Sequence, residues 1–252
     1  MILLFLRLIL TLFLVPTYLL GSPKHPTDPS DIRHRRALLW STRMCRVGMR
    51  IFGVRLKLHG RPDPAALLQV SNHLSYIDAV ILSAARPALF VTSTEVRDDP
   101  LLGRITRAGG CEFVERRSVG GLAGECERLG RHLKHVPVLF FPEATSSDGS
   151  KLLRFKPAFF TTAIAARCPV QPLALRYPSV NGEPFTRANH HRICWYGDMA
   201  FGPHLIQLLT MRRVDAEIRY LDPIPWRDDW DRKSLAEEAR KRISAALGYP
   251  TN

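Results

Sequence analysis

The sequence predicts an α/β fold, in which a single domain with a mixed or parallel sheet covered by helices follows an N-terminal two-helix segment. Three observations support this prediction. Short apolar runs alternate with helical stretches after residue 63, residues 1–20 are almost entirely apolar, and residues 32–62 are basic and contain no acid. Because 46% of the 252 residues are hydrophobic, the chain can bury a core, which excludes disorder as its main state.

The first segment has the length of a membrane helix. Residues 1–20 contain one charged side chain, Arg7, and a helix of this length reaches about 30 Å, the thickness of a hydrocarbon core. Pro16 is expected to interrupt it after about four turns. A cleaved signal peptide is less favoured, because no basic residue precedes the apolar run and Leu20-Gly21-Ser22 is a poor cleavage site. A buried helix of a soluble protein is a further alternative, and we expect a retained anchor.

The second segment, residues 32–62, predicts a basic amphipathic helix. Its basic face is formed by Arg36, Arg43, Arg46 and Arg50. Such a helix suits an anionic phospholipid surface. A formal net charge of +13 also fits nucleic acid, but the sequence has no basic strand pattern interleaved with aromatic residues, so nucleic acid is not expected as a partner. We therefore predict a membrane anchor over 1–62 and an α/β domain over 63–252.

In the remainder of the chain, predicted strands alternate with predicted helices, as an α/β fold requires. Strands are predicted at Leu67–Ser71, Ala88–Thr92, Cys111–Val114, Val136–Phe141, Val170–Tyr177, Arg192–Trp195 and Val214–Tyr220. Helices are predicted at 76–86, 100–109, 118–134, 156–166 and 233–247.

Residues 71–78, which read SNHLSYID, follow the first of these strands. His73 is expected in the loop at the carboxyl end of the strand, where open α/β sheets bind their ligands. Asp78 falls in the first turn of the next helix, where its carboxylate can bind one ring nitrogen and leave the other as a general base. The competing interpretation is a capping box formed by Ser75 and Asp78, with His73 as an ordinary loop residue.

Three further blocks accompany this one. They are GCEFVERR at 110–117, FFPEATSSDG at 140–149 and CPVQPL at 168–173. In this order the four blocks resemble those of the glycerolipid acyltransferase family, which includes the 1-acylglycerol-3-phosphate acyltransferases. The resemblance covers about residues 70–180, and the N-terminal anchor also agrees with the family.

The resemblance implies a role for each matched residue. His73 is expected to deprotonate the free hydroxyl of a lysolipid, and Asp78 is expected to orient it. The acyl group then comes from acyl-CoA or acyl carrier protein, as a substrate and not as a bound cofactor. Substrate binding is assigned to Asn72, Arg116, Arg117, Glu143, Ala144 and Thr145. Arg116 matches the family's phosphate-binding arginine. Arg117 is equally consistent with a solvated surface charge, and a less favoured alternative for Glu143 is a helix-capping acid.

No cofactor and no metal are expected. The five cysteines form no C-x-x-C pair, and His190-His191 has no further residue at ligand spacing. The same cysteine pattern suggests reduced thiols, and we expect the enzyme at the inner (cytoplasmic) membrane with its active site facing the cytoplasm.

Two departures from the family pattern leave the acceptor open. Ala144 stands where the family has Gly, and Ser146 stands where it commonly has Arg. The missing cation weakens the case for a phosphate monoester. Lysophosphatidate is the first expectation, with phosphatidic acid as the product, and a lyso-ornithine lipid or another lysophospholipid is the alternative. A membrane-surface binding protein with a decayed site is the alternative that is not an enzyme.

Overall fold

The computed structural model describes residues 2–22, 30–114, 128–133 and 135–249. Within these residues the chain forms one eight-stranded sheet with strand order β1-β8-β6-β2-β5-β3-β4, and β7 pairs with β6 outside this path. The strands are β1 Val54–His59, β2 Leu68–Ser71, β3 Leu89–Ser93, β4 Glu112–Val114, β5 Val138–Phe140, β6 Val170–Val180, β7 Glu183–Pro184 and β8 Val214–Tyr220. Pairing is parallel except where β6 meets β7 and β8.

Helices precede, connect and cover the strands. They are α1 Ile2–Gly21, α2 Ser30–Phe52, α3 Tyr76–Ala85, α4 Thr94–Asp98, α5 Leu102–Ala108, α6 Thr161–Ala166, α7 Phe201–Thr210 and α8 Arg232–Leu247. Residues 128–132 are also helical, and short 3₁₀ turns occupy Pro157–Phe160 and His190–Arg192.

The sheet has a hydrophobic core on each face. Successive side chains of a strand point to opposite faces, so Val138 and Phe140 enter one core and Leu139 enters the other. Helix α8 contributes Ile243 to the first core, and α3 contributes Ile77 to the second. A central strand that is buried on both faces must be apolar throughout, which explains the continuous hydrophobic run at β5.

Parallel pairing brings the ends of three strands together at one edge of the sheet. In β2, Val70 pairs with Phe140 of β5 on one side and with Pro172 of β6 on the other. The loops that follow β2 and β5 therefore start side by side. This arrangement confirms the predicted α/β fold and places His73 and Glu143 in adjacent loops.

Helix α1 is attached to the rest of the protein through its single charge. Arg7 is buried, and its guanidinium donates to the backbone carbonyls of Leu209, Met211 and Arg212, where α7 ends. The guanidinium satisfies carbonyls that the end of a helix leaves without partners. Near the other end of α1, the Trp40 indole of α2 donates to the Tyr18 carbonyl at 3.0 Å.

Most of the remaining surface of α1 is apolar and exposed. Its exposed large side chains are Ile2, Leu3, Phe5, Leu6, Leu8, Leu10, Leu12, Phe13 and Leu20. Helix α1 is the one helix in the described part of the chain that is long and apolar enough to cross a membrane. On α2, the four predicted arginines, Arg36, Arg43, Arg46 and Arg50, are exposed as expected.

The structure corrects two of the predicted elements and adds elements that were not predicted. The predicted strand Arg192–Trp195 is absent, because Ile193 and Cys194 are buried in a loop whose backbone bonds locally to His190. The prediction missed helix α7. Helix α1 continues through Pro16 to Gly21, although we expected Pro16 to interrupt it.

The first strand was also missed, because it lies within the basic segment. Helix α2 ends at Phe52, and Val54–His59 pairs with β8 as the edge strand β1. The sheet therefore begins before residue 63, where the sequence placed the domain boundary. Of the predicted helix 118–134, the structure describes only the last part.

Candidate active site

The candidate site is built from the loop after β2 and the loop after β5. His73 lies two residues beyond the end of β2, and Glu143 lies three residues beyond the end of β5. The His73 backbone N–H donates to Glu143 Oε1 at 2.7 Å. The two sequence blocks, each at the carboxyl end of its strand, are thus joined by a direct hydrogen bond.

Asp78 is completely buried and accepts hydrogen bonds on both carboxylate oxygens. Oδ2 lies 2.6 Å from Leu74 N, 2.9 Å from Ser75 N and 3.0 Å from His73 Nδ1. Oδ1 accepts from the Tyr177 hydroxyl at 2.5 Å. A buried carboxylate needs this number of donors to offset its lost hydration. The two interpretations of Asp78 are therefore both realised, since Oδ2 binds the backbone N–H of the N-cap residue Ser75 and also the imidazole of His73.

The His73 ring is fixed from two directions. Its Nδ1 faces Asp78, so we assign the ring proton to Nδ1. Its plane stacks on Phe141 with the ring centroids 4.0 Å apart and an angle of 13°. The side chain remains 20% exposed. With Nδ1 committed to the carboxylate, Nε2 is the nitrogen that can take a proton from a substrate.

Glu143 is a buried side chain that connects the loop after β5 to the loop after β2. Its side chain is 3% exposed, and Oε2 accepts from the Leu153 backbone N–H at 2.8 Å while Oε1 accepts from His73. Burial raises the pKa of Glu143 to about 7, although the two backbone hydrogen bonds oppose this shift. Every polar contact that the structure gives Glu143 is thus to the protein backbone, and its direct role is to fix the position of His73.

Asn72 also holds the backbone. Its amide donates to the Leu175 carbonyl at 2.9 Å and accepts from the Leu175 N–H at 2.8 Å, and its side chain is buried between β2 and β6. The sequence grouped Asn72 with the substrate-binding residues. The structure instead places its side chain in a reciprocal pair with Leu175, where it ties the start of the His73 loop to β6.

Ala144 has a left-handed backbone with φ of +64°. The family's glycine adopts this conformation without strain, whereas an alanine pays for its Cβ. An alanine is tolerated without strain only where φ is negative, and at residue 144 it is positive. Thr145, the next residue, is exposed, and Ser146 donates from its hydroxyl to the Trp195 carbonyl.

Arg116 and Arg117 lie outside the described residues. Strand β4, which leads to them, pairs in parallel with β3 through Ser93 and Val114. Their predicted roles in binding an anionic head group therefore stay predictions.

Sequence reasoning did not place Tyr177 and Trp195 at the site, because their contacts with it depend on the fold. Tyr177 lies on β6, about a hundred positions from the carboxylate that it contacts. Trp195 belongs to the segment predicted as a strand, and its backbone N–H donates to the Leu74 carbonyl at 2.9 Å. The Trp195 ring packs near Tyr76 and Phe201, with ring centroids 5.7 and 6.4 Å away.

One cluster among the described residues has the donor types of a metal site. The ligand atoms of His34, Glu112 and His132 lie within 4.8 Å of one another. Burial alone would raise the pKa of Glu112, but hydrogen bonds from both histidines and the charge of Arg128 hold it well below its usual range. Arg128 Nε donates a hydrogen bond to Glu112 Oε2 at 2.9 Å. Since this guanidinium already balances the carboxylate, we interpret the cluster as an ion-pair network that joins α2 to β4.

The geometry at His73 supports general-base chemistry on a substrate hydroxyl or a water molecule. Ser75 does not serve as a nucleophile, because its side chain is completely buried. A Ser-His-Asp relay within this loop is therefore excluded.

Comparisons with known proteins agree with the four sequence blocks. The acyltransferase family model matches residues 55–176. The chain is 34% identical over 211 residues to a lyso-ornithine lipid O-acyltransferase of Brucella abortus, covering 80% of this chain and 79% of that one. It is 30% identical over 195 residues to a 1-acyl-sn-glycerol-3-phosphate acyltransferase of Neisseria gonorrhoeae, covering 75% and 73%.

A solved structure shares the fold. The crystal structure of the 1-acyl-sn-glycerophosphate acyltransferase PlsC from Thermotoga maritima aligns with a TM-score of 0.65 at 19% identity, covering 99% of this chain and 96% of that one. The chain therefore belongs to the acyltransferase family, and it is a lysolipid acyltransferase.

Replacing Ala144 with glycine should stabilise the protein. Ala144→Gly removes the steric cost of a left-handed alanine, and after the entropy cost of glycine the net gain is about 0.5–1 kcal/mol. Thermal unfolding in detergent measures the change. The control is Ala245→Gly at an exposed helical position of α8, which should lose up to about 1 kcal/mol. If both substitutions lower the unfolding temperature alike, the backbone at 144 is not left-handed.

Proposed function

We propose that this acyltransferase transfers an acyl group from an acyl thioester to the free hydroxyl of a lysolipid, and that His73 is the general base that deprotonates this hydroxyl. The observation that carries this proposal is the imidazole held between Asp78 and Phe141, with Nδ1 bound to the carboxylate. The donor is acyl-CoA or acyl carrier protein, whose thioesters are used without a bound cofactor.

The reaction needs one proton to move twice. Nε2 of His73 takes the proton of the acceptor hydroxyl as that oxygen attacks the thioester carbonyl carbon. The tetrahedral intermediate then expels the thiolate, the C–S bond breaks, and the imidazolium returns its proton to the sulfur. Asp78 stabilises the imidazolium between these two transfers.

His73→Gln should abolish acyl transfer while the protein remains folded. Removing a general base costs about 10²–10⁴ in rate, and the partly exposed ring contributes little to the core. Thiol release from acyl-CoA in the presence of lysolipid measures the rate, and thermal unfolding checks the fold. The matched control is His191→Gln, at an exposed histidine. Turnover near the wild-type level in His73→Gln would refute the proposed mechanism.

For the acceptor, we propose a lyso-ornithine lipid in place of lysophosphatidate, the first expectation from sequence. Relatives with that name share 30–34% identity with this chain. At the site, Ser146 stands in place of the family's common arginine, and its hydroxyl donates a hydrogen bond to the Trp195 carbonyl. A loop with one cation fewer should favour a head group that is close to neutral over a phosphate monoester with about −1.5 to −2 charges.

Ser146→Arg should raise activity on lysophosphatidate relative to lyso-ornithine lipid. The new guanidinium supplies a bidentate phosphate partner. The ratio of kcat/KM values for the two acceptors is the measurement. Ser146→Ala isolates the loss of the hydrogen bond to Trp195, and Ser150→Arg adds the same charge at an exposed position of the same loop.

Only Ser146→Arg should shift the acceptor ratio. If the ratio of kcat/KM values is unchanged in Ser146→Arg, or shifts equally in Ser150→Arg, residue 146 does not determine the choice of acceptor.

We further propose that the enzyme resides at the inner membrane with its active site facing the cytoplasm. The exposed apolar side chains of α1 and the exposed arginines of α2 support membrane attachment. A cytoplasmic orientation matches the location of acyl thioesters and the free cysteines Cys45, Cys111, Cys168 and Cys194.

Replacing Leu12 and Phe13 together with lysine should release the protein from membranes. Both side chains are exposed, 72% and 69%, so the contacts of α1 with the domain are kept, while each charge costs about 2.5–3.5 kcal/mol inside a bilayer. Membrane sedimentation at low and high salt is the measurement, because binding through arginines is weakened by salt. Leu58→Lys on β1 is the control. A double variant that still sediments completely in high salt would contradict attachment through α1.

A further inference from the structure

We propose that Tyr177 is a positioning residue of this enzyme, one that sets the charge which Asp78 presents to His73 and thereby the pH range in which the base works. This inference rests on the proposed role of His73 as general base. The observation behind it is a buried phenol whose hydroxyl donates to Asp78 Oδ1 at 2.5 Å.

The two oxygens of Asp78 have separate partners. Oδ2 accepts hydrogen bonds from the His73 imidazole and from the backbone N–H groups of Leu74 and Ser75. Tyr177 is the side chain that the structure places on Oδ1. Since all of these donors share one negative charge, a stronger donor on Oδ1 leaves less charge for the imidazole on Oδ2. The other titratable groups that face this carboxylate or the phenol are Glu143, Cys194 and Tyr76, and they are the same in every variant compared.

Tyr177 stays a donor because it cannot easily lose its proton. Its side chain is 3% exposed, and burial, followed by the charge of Asp78, raises its pKa well above the ordinary value of 10.0. The hydroxyl therefore gives a charge-assisted hydrogen bond, a class that is shorter and stronger than the bond between neutral groups.

The backbone holds this phenol in place. Tyr177 lies on β6 two residues after Leu175, whose backbone binds the Asn72 side chain at both its N–H and its C=O. Strand β6 also pairs with β2 through Ser71 and Leu173. The strand that fixes the start of the His73 loop thus also presents the phenol to Asp78, so the two positions cannot drift apart without breaking sheet pairing.

Removing the hydroxyl alone separates this role from packing, because Tyr177→Phe keeps the ring. Without the phenol, Asp78 offers more charge to the imidazole and stabilises its protonated form, which is not a base. The acid limb of the pH profile of kcat/KM should therefore move to higher pH by roughly 0.5–1 unit. A residue that only packs would leave the limb in place.

A fluorinated phenol should act in the opposite direction. 3-Fluorotyrosine at position 177 is a more acidic donor of nearly the same shape, so it withdraws more charge from Asp78. The acid limb should then move to lower pH. This variant keeps the proposal testable if Tyr177→Phe fails to fold.

The experiment records kcat/KM against pH for the full-length enzyme in detergent, with one acyl-CoA and one lysolipid throughout. Tyr220→Phe on β8 is the control and should leave the limb in place. Opposite shifts in the two Tyr177 variants support the proposal. A limb that coincides with wild type in both, with or without a uniform loss of rate, overturns it.

The result also separates this inference from the proposed function. If His73→Gln retains turnover, the general-base mechanism fails whatever the Tyr177 variants do. If His73→Gln is inactive and neither Tyr177 variant moves the limb, only the role of Tyr177 fails.

Discussion

The Asp78 carboxylate accepts hydrogen bonds from His73, Leu74, Ser75 and Tyr177 while it is completely buried. This set of bonds is the constraint on which the rest of the site depends. A charge without solvent must find its donors in the protein, and Asp78, itself in the first turn of α3, finds them in the loop after β2 and on strand β6. Satisfying one carboxylate therefore fixes three elements and leaves the imidazole with a single orientation.

A second buried acid completes the arrangement from the other side. Glu143 binds the backbone of His73 and Leu153, so the loop after β5 is tied to the loop after β2 through backbone N–H groups. Together with the Asn72 pair, this means that three of the described motif side chains, those of Asn72, Asp78 and Glu143, bind backbone groups around His73. Among the described residues, the motif therefore specifies the position of His73, the proposed general base.

The sequence could predict the parts of this structure that local patterns encode. Six of the predicted strands and the spacing of His73 and Asp78 follow from hydrophobic runs and turn chemistry, and β8 agrees residue for residue. Strand β1 could not be separated from the basic segment, because its alternating Arg55 and Lys57 continue the charge pattern of α2. Tyr177 could not be found either, since its contact with Asp78 is created by strand order and not by spacing.

The central claim is that His73 activates the acceptor hydroxyl directly, and rapid-quench analysis of the enzyme with acyl-CoA in the absence of lysolipid tests it. Direct activation predicts no burst of free CoA and no acyl group on the protein until lysolipid is added, after which one CoA is released for each ester formed. A burst of CoA equal to the enzyme concentration before any lysolipid is present, with the acyl group bound to a side chain, would contradict it.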